Sequence, residues 1–417
     1  MSEAKNSDRC PVDFDHTTRE YAENWLEVTQ ELREQCPRAW TENHGGHWIA
    51  SKYQDIVDIA QRPEKFTTYK TYDPETGIAQ GGTSIPPIPS FRAVPSESDT
   101  EEWGVVRRFL NSRFGPKSIE ALRSKSENMA AALIDDVIEK GRFDIVDDLA
   151  NPLPALVSMH IFGFPLYEWP KFAMPFHKML YTPHDDPEYP ETVEAMGYFR
   201  RRVDEEIEIR REKPCDDLLS YLAAGIDGKP LEHQLLQDIA FNLMGGGIDT
   251  TTALTSNVLL YLSRHPDHRQ RLIENPKLLP LAREEFIRYF TPVHSVARTA
   301  TSNTVVNGWK FAKGDRVLLR YISANHDPDI FDDPDSVKLD RYPNRHVSFG
   351  AGMHRCLGSF LAKMMFETMV TEVLRRMPDY KVIETDIVHY PSIQQVNGWI
   401  HLPTAFSPGP KVGAVIA

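Results

Sequence analysis

Phe349-Gly350-Ala351-Gly352-Met353-His354-Arg355-Cys356-Leu357-Gly358 carries the most constrained run of residues in the chain. A cysteine sits among glycines, immediately ahead of a segment, 356–376, whose apolar spacing predicts a helix. Glycine accepts positive φ and lets the backbone come close to a flat ligand. The first N–H groups of the following helix, with the positive end of its dipole, would face the sulfur and favour thiolate over thiol. A thiolate is the form that donates electron density strongly to an iron centre. The bland alternative is a buried cysteine in a Gly-rich turn. It gives no reason for an ordered run of Phe, three glycines and a basic residue around one sulfur.

Outward from this loop, residues 325–355 are rich in Asp, Pro, Arg and Gly and read as irregular. The stretch 301–324 predicts short strands, with turns at Asn307-Gly308 and Lys313-Gly314-Asp315. Upstream, apolar residues recur at helical spacing over 103–114, 119–139, 189–211 and 233–263, with proline-containing breaks around 152–170, 183–190 and 214. Residues 47–66 read as a strand and then a helix that stops near Pro63; residues 74–100 form a long Pro-rich irregular segment. The tail, 380–407, reads as short strands and turns. The expectation is a mainly α protein with minor β, one domain over 1–417, and a flexible N-terminal segment over 1–20.

Composition narrows the function. The chain has 417 residues, a net charge of -13 and 41% hydrophobic residues, which is globular composition. The polar N-terminus has no leader-like apolar core, and no apolar run is long enough to span a membrane. A cytoplasmic protein with no membrane anchor is expected. The acidic balance argues against nucleic-acid binding. Cys10, Cys36, Cys215 and Cys356 are scattered, so neither a disulfide framework nor a zinc site is expected.

The cysteine loop resembles the haem-binding motif of the cytochrome P450 family, F-G-x-G-x-(H/R)-x-C-x-G, at every position, and other family motifs follow in order along nearly the whole chain. The resemblance implies a fold with haem b between a long central helix and the cysteine loop, and Cys356 as the iron ligand. Gly246-Gly247-Ile248-Asp249-Thr250-Thr251, poor helix material inside 233–263, resembles the family's dioxygen-handling segment. There the helix would open locally, Thr250 would orient dioxygen through its hydroxyl, and Asp249 would relay protons. Glu285-Phe286-Ile287-Arg288 with Arg341 matches the buried ionic set that steadies the cysteine loop, a structural role. Trp103 and Arg107 stand where bacterial members commonly carry a propionate-binding His and Arg. The chain departs from that pattern, because a Trp replaces the His; an indole N–H can still donate to a carboxylate. Arg298 and His354 match two further propionate positions.

The resemblance also places the substrate. Residues 67–95 would form a distal lid, with Tyr69, Tyr72, Ile85, Ile88 and Phe91 as apolar contacts. Residues 164–184, with Phe172, Phe176, Met179 and Leu180, would form a second wall. Asn242, Gly245 and Gly246 would face the haem, Val293, His294, Ser295 and Val296 would cover one side, and Gln395 and Val396 would come from the tail. Gly245 would widen the space above the iron, and Asn242 and His294 would supply a polar handle. The reading is a monooxygenase for a medium-sized, largely apolar terpenoid or aromatic substrate. It would use dioxygen and two electrons from a ferredoxin or flavodoxin with a separate reductase, docked near Arg107, Arg108, Arg113 and Arg355. The alternatives are a peroxide-driven peroxygenase of the same fold, which would typically lack the Asp249-Thr250 pair, and a non-catalytic haem ligand-binding protein.

Overall fold

The central helix, His233–Arg264, is buried around most of its circumference, as an apolar helix inside a large core must be. The structure is a computed structural model that describes residues 9–88, 91–182 and 186–416. Around the central helix pack Pro152–Phe162, Ser359–Arg376, Leu279–Phe290 and Trp169–Tyr181. Their facing side chains, among them Phe162, Phe172, Leu259, Phe286 and Phe366, make one continuous core. The molecule is mainly helical with minor sheet, as the sequence implied.

The largest sheet has six strands, in the order Cys10–Pro11, Arg38–Thr41, His47–Ala50, Arg316–Arg320, Ser295–Ala300 and Phe66–Thr67. Arg316–Arg320 runs parallel to His47–Ala50 and antiparallel to Ser295–Ala300, with Val317 opposite Arg298. The register therefore sets Arg298 in a buried strand. The hairpin Thr304–Val306/Trp309–Phe311 turns on Asn307 (φ 50°) and Gly308 (φ 78°). Two successive positive φ values are what a tight two-residue hairpin demands.

Four sequence expectations change. The proline-rich stretch 152–170 was expected as a break, yet Pro152–Phe162 is a helix. Pro152 and Pro154 fall in its first turn, where no intrahelical N–H is needed, and Gly163 ends it at φ 90°. Of the expected flexible segment 1–20, residues 1–8 lie outside the described residues, while 9–20 are tied in: Cys10 and Pro11 pair with Ala39 and Trp40, and Thr18 caps the helix Arg19–Gln35. That pairing brings Cys10 to Cys36, at the end of this helix, and the two form a disulfide that the scattered spacing did not suggest. The central helix runs without the local opening expected at Gly246–Thr251. Instead, the hydroxyls of Thr250 and Thr252 donate to the carbonyls of Gly246 and Ile248, 3.1 and 3.2 Å away, so the helix absorbs them without breaking.

Candidate functional site

A cavity of about 420 Å³ lies between the central helix and the cysteine loop, lined by Gly246, Asp249 and Thr250 on one side and Phe349, Cys356 and Leu361 on the other. The loop is held by its own backbone. The Cys356 N–H donates to the Phe349 carbonyl at 2.8 Å, and Gly350 and Gly352 adopt φ of 77° and 72°. A Cβ on Gly352 would come within 2.6 Å of the Ala60 carbonyl oxygen, so the loop must be bare there. Burial pushes the Cys356 thiol up from its ordinary value; the Gly358 N–H and the charges of Arg107 and Arg355 act the other way.

Behind the loop, Glu285 and Arg288 are fully buried and form a two-pronged ion pair at 2.8 Å for both contacts. Glu285 also accepts from Arg341 Nε (2.9 Å), the Lys338 N–H (2.8 Å) and Asn344 (3.1 Å). Arg288 donates onward to the carbonyls of Asn325, Pro334 and Ser336. The set ties Leu279–Phe290 to the irregular chain that leads into the cysteine loop.

Trp103, Arg107, Arg298 and His354 all line the cavity. Arg298 is only 2% exposed; it donates to the Ala297 carbonyl, and its charge is felt at the Tyr321 hydroxyl. Arg107 reaches Asn111. Among the described residues, neither arginine has a carboxylate within 4 Å. A buried guanidinium without an anion is costly, so this end of the cavity fits a cofactor that brings its own carboxylates. Burial holds His354 down to about 3, with Arg298 and Arg107 adding to the effect. One imidazole nitrogen lies 3.3 Å from Thr68 and the other has no protein partner among the described residues.

On the opposite wall, Asp249 is not paired with Thr250. Its carboxylate accepts from His177 Nδ1 at 2.8 Å, with both side chains 2% exposed. The Tyr390 hydroxyl lies 3.2 Å from the same nitrogen. Gly246 has no atom within 4 Å of where a Cβ would stand, so it opens the helix surface to the cavity.

The substrate positions divide. Ile85, Ile88, Phe91, Phe176, Met179, Leu180, Asn242, Gly245, Gly246, Val293, Val296, Gln395 and Val396 line the cavity, and Val293 bridges to Val396. Tyr72 does not; it is 41% exposed, because its strand, Lys70–Tyr72, turns outward in a hairpin with Ala79–Gly81. Tyr69, Phe172 and Ser295 are also off the lining. His294 is buried behind the wall and bound to the Tyr21 hydroxyl at 2.8 Å, so it offers no polar handle. Asn242 donates to the Val94 carbonyl (3.0 Å) and Ser96 (3.3 Å), which makes it an anchor for the lid. Gly245 does not widen the cavity: a Cβ there would lie 2.9 Å from the Phe176 ring, which already fills the space. Residues 89–90 and 183–184 of the expected walls lie outside the described residues.

Sequence reasoning missed His177, Tyr390 and the buried lid pair Lys70–Glu97, 3.2 Å apart. Glu97 also accepts from the N–H groups of Thr83 and Ala93 at 2.9 Å, and the Lys70 amine donates to the Phe91 carbonyl, so one ion pair gathers the lid. None of these residues carries a local motif; each is legible only once distant segments are brought together.

Residues 89–378 match the family described as Cytochrome P450. The polyketide biosynthesis cytochrome P450 PksS of Bacillus subtilis is 31% identical over 312 residues, 74% of this chain and 76% of that protein. A steroid C26-monooxygenase of Mycobacterium tuberculosis is 29% identical over 425 residues, 99% of this chain and 100% of that protein. Among solved structures, a mutant of P450 EryK in complex with erythromycin B gives a TM-score of 0.82 at 28% identity, covering 95% of this chain and 100% of that one.

Proposed function

The chain belongs to the cytochrome P450 family of haem b monooxygenases, and from that premise we propose that it hydroxylates a neutral, medium-sized, largely apolar ring compound. Haem b, when bound, supplies the iron at which dioxygen is activated. Cys356 would ligate it, and Arg107, Arg298, His354 and Trp103 would hold its carboxylates. Thr250 would orient dioxygen from the central helix, and Asp249 would supply protons. Glu285, Arg288 and Arg341 would keep the cysteine loop in register.

The observation that carries the substrate reading is the chemistry of the distal wall. Phe91, Phe176 and Phe241 cluster there, with ring centroids 3.5 and 4.9 Å apart along the chain of contacts, and Ile85, Ile88, Val293, Val296 and Val396 complete it. Away from the carboxylate-binding end, Lys70 is the one cation among the described lining residues, and Glu97 neutralises it. A substrate carboxylate would find no free partner, whereas flat or ring-shaped apolar surface would be well matched. The names of the relatives, which refer to polyketide biosynthesis, a steroid and erythromycin B, fit a ring-bearing ligand.

Electrons would come singly from a ferredoxin or flavodoxin served by a separate reductase, and the protein would work in the cytoplasm. Among the described residues, no helix is long and apolar enough to cross a membrane. Arg108 and Arg355 are exposed and suited to an acidic partner; Arg113 is engaged with Asp216 at 2.9 Å, and Arg107 lines the cavity.

The test is spectral titration of the holoprotein with a terpenoid, an aromatic, a steroid, a macrolide and a long-chain fatty acid, followed by turnover with reductant and dioxygen. Neutral ring compounds should shift the haem spectrum and yield hydroxylated product. Tight binding of the fatty acid alone would overturn the substrate reading. Product formed only with hydrogen peroxide would favour a peroxygenase, and no product at all would favour a ligand-binding role. Thiolate ligation is checked by the strongly red-shifted carbon-monoxide band of the reduced protein.

A further inference from the structure

His177 and Phe176 are neighbours on the entrance helix, Trp169–Tyr181, and they do different things. Phe176 lines the cavity, with its ring against Gly245 of the central helix. His177 does not line the cavity; it holds the Asp249 carboxylate at 2.8 Å, one helical turn further along. The residue before them, Pro175, lies inside the helix, where it has no N–H to donate and the ladder is interrupted. A ligand pressing on the Phe176 ring therefore acts on the same short segment that fixes the acid.

The groups around His177 are few. Asp249 faces it from the central helix, Tyr390 from the tail, Tyr181 from its own helix at a ring-centroid distance of 5.5 Å, and Asp147 lies near enough for its charge to be felt. The second imidazole nitrogen is buried and has no protein partner among the described residues. Among the described residues, the contact with Asp249 is the shortest that holds the ring, and with both side chains buried it also holds the carboxylate.

Resting on the reading that Asp249 supplies protons, we propose that His177 is a positioning residue for that acid, tethering it to the entrance helix so that its alignment depends on what fills the cavity beside Phe176. In the absence of a well-fitting substrate, the tether keeps the carboxylate turned towards the entrance helix and away from Thr250, whose hydroxyl is engaged with the Gly246 carbonyl. A substrate that packs under Phe176 shifts the tether and brings the acid into line. Wasteful proton delivery to dioxygen without substrate is thereby limited.

The test uses the holoenzyme and two polar replacements that differ in where the donor sits. His177→Asn keeps an N–H donor at the position of Nδ1, and His177→Gln moves it towards Nε2. With the neutral ring compound of the spectral panel that binds most tightly as the probe substrate, affinity should stay within about twofold in both, because His177 does not line the cavity. General acid–base assistance contributes about 10²–10⁴-fold, so misalignment should lower the product-forming rate of His177→Gln by at least about tenfold. Its solvent isotope effect should rise and its peroxide release increase, while His177→Asn should recover most of the coupling. Equal coupling in the two variants, or the reverse order, would overturn the proposal. Asp249→Asn separates this from the premise. If that variant couples normally, the premise itself fails; if it is impaired while His177→Gln is normal, only the tether fails.

Discussion

Replacing Glu285 by Gln keeps the shape of the side chain and removes its charge, which makes it a clean test of what holds the cysteine loop. Oε1 accepts from Arg288 Nη2 and the Lys338 N–H; Oε2 accepts from Arg288 Nε, Arg341 Nε and Asn344. A glutamine has one oxygen. In either amide orientation, at least two of these donors face an NH2 group instead of an acceptor, and Arg288, fully buried, loses its anion. Breaking a buried pair by removing one partner costs about 3–5 kcal/mol, a large part of the roughly 5–15 kcal/mol by which domains are stable. Urea unfolding of the holoprotein, followed by tryptophan fluorescence and haem retention, should show a loss of that size. Among the described residues, the side chain of Lys338 pairs with Asp332 and Asp333 at the surface, so Lys338→Ala should cost under about 1 kcal/mol. The pH dependence adds a second check. Burial alone would raise the Glu285 carboxyl, but Arg288, the Lys338 N–H and Arg341 together hold it below its ordinary value. A depressed carboxyl contributes stability that is present above the unfolded value, about 4.3, and is lost as pH falls through the folded one. The parent and Glu285→Gln should therefore converge in stability on acidification. A loss below about 1 kcal/mol at neutral pH, or a gap that does not narrow in acid, would mean that the Glu285 charge does not hold Arg288 and the cysteine loop.

Thr250→Ala should spare haem binding but divert electrons from product to peroxide; full coupling in that variant would remove the role given to the hydroxyl. Gly245→Ala should cost about 1–3 kcal/mol, because its methyl meets the Phe176 ring, whereas Gly246→Ala should be stability-neutral and alter substrate affinity by entering the cavity; thermal denaturation and spectral titration distinguish them, and the opposite pattern would reverse the assignment of the two glycines. Arg298→Ala should lower haem retention during gel filtration at low haem concentration, and unchanged retention would mean that the buried guanidinium has another partner. Arg108→Glu should slow reduction by an acidic ferredoxin, most of all at low salt, with haem content unchanged; an unaffected rate would move the docking face elsewhere.

The parts of the fold and site that could be read in the sequence are those where one short segment contains both the residue and the reason for it. Gly350, Gly352 and Cys356 are such a case: the glycines are needed within a few residues of the sulfur they serve. So is Asn307-Gly308, where the turn type and its residues coincide. Glu285 and Arg288 were visible as an ion pair at helical spacing, and Arg341 was placed through the family resemblance, not through spacing. The misreadings occurred where the deciding neighbour is remote. Gly245 was read as open space because the sequence does not show that Phe176, on another helix, fills it. His294 and Asn242 were read as polar handles because their partners, Tyr21 and the Val94 carbonyl, lie far off in the chain. Pro152 and Pro154 were read as a break because a proline in a first turn and a proline in a loop look alike until the helix start is known.

The two faces of the cavity are built to different standards, and the difference bears on function. On the cysteine face, Glu285 is shared by Arg288 and Arg341, and backbone carbonyls take their remaining N–H groups. Such a network resists distortion of the chain that leads into the cysteine loop, because a shift of that chain would strain several hydrogen bonds to Glu285 and Arg288 at once. The opposite face is held at fewer points: Lys70–Glu97 gathers the lid, Asn242 pins it to the central helix, and among the described residues His177 is the partner of Asp249. Between these points lie apolar side chains such as Ile88, Phe91 and Val396, which interlock without direction and can repack at small cost. Changes of substrate should therefore be tolerated through the apolar residues, while changes at Lys70, Asn242 or His177 should alter how binding is converted into turnover. If Cys356 and Asp249 act as proposed, the cysteine face would fix which chemistry is possible, and the sparse polar contacts opposite it would decide when that chemistry proceeds.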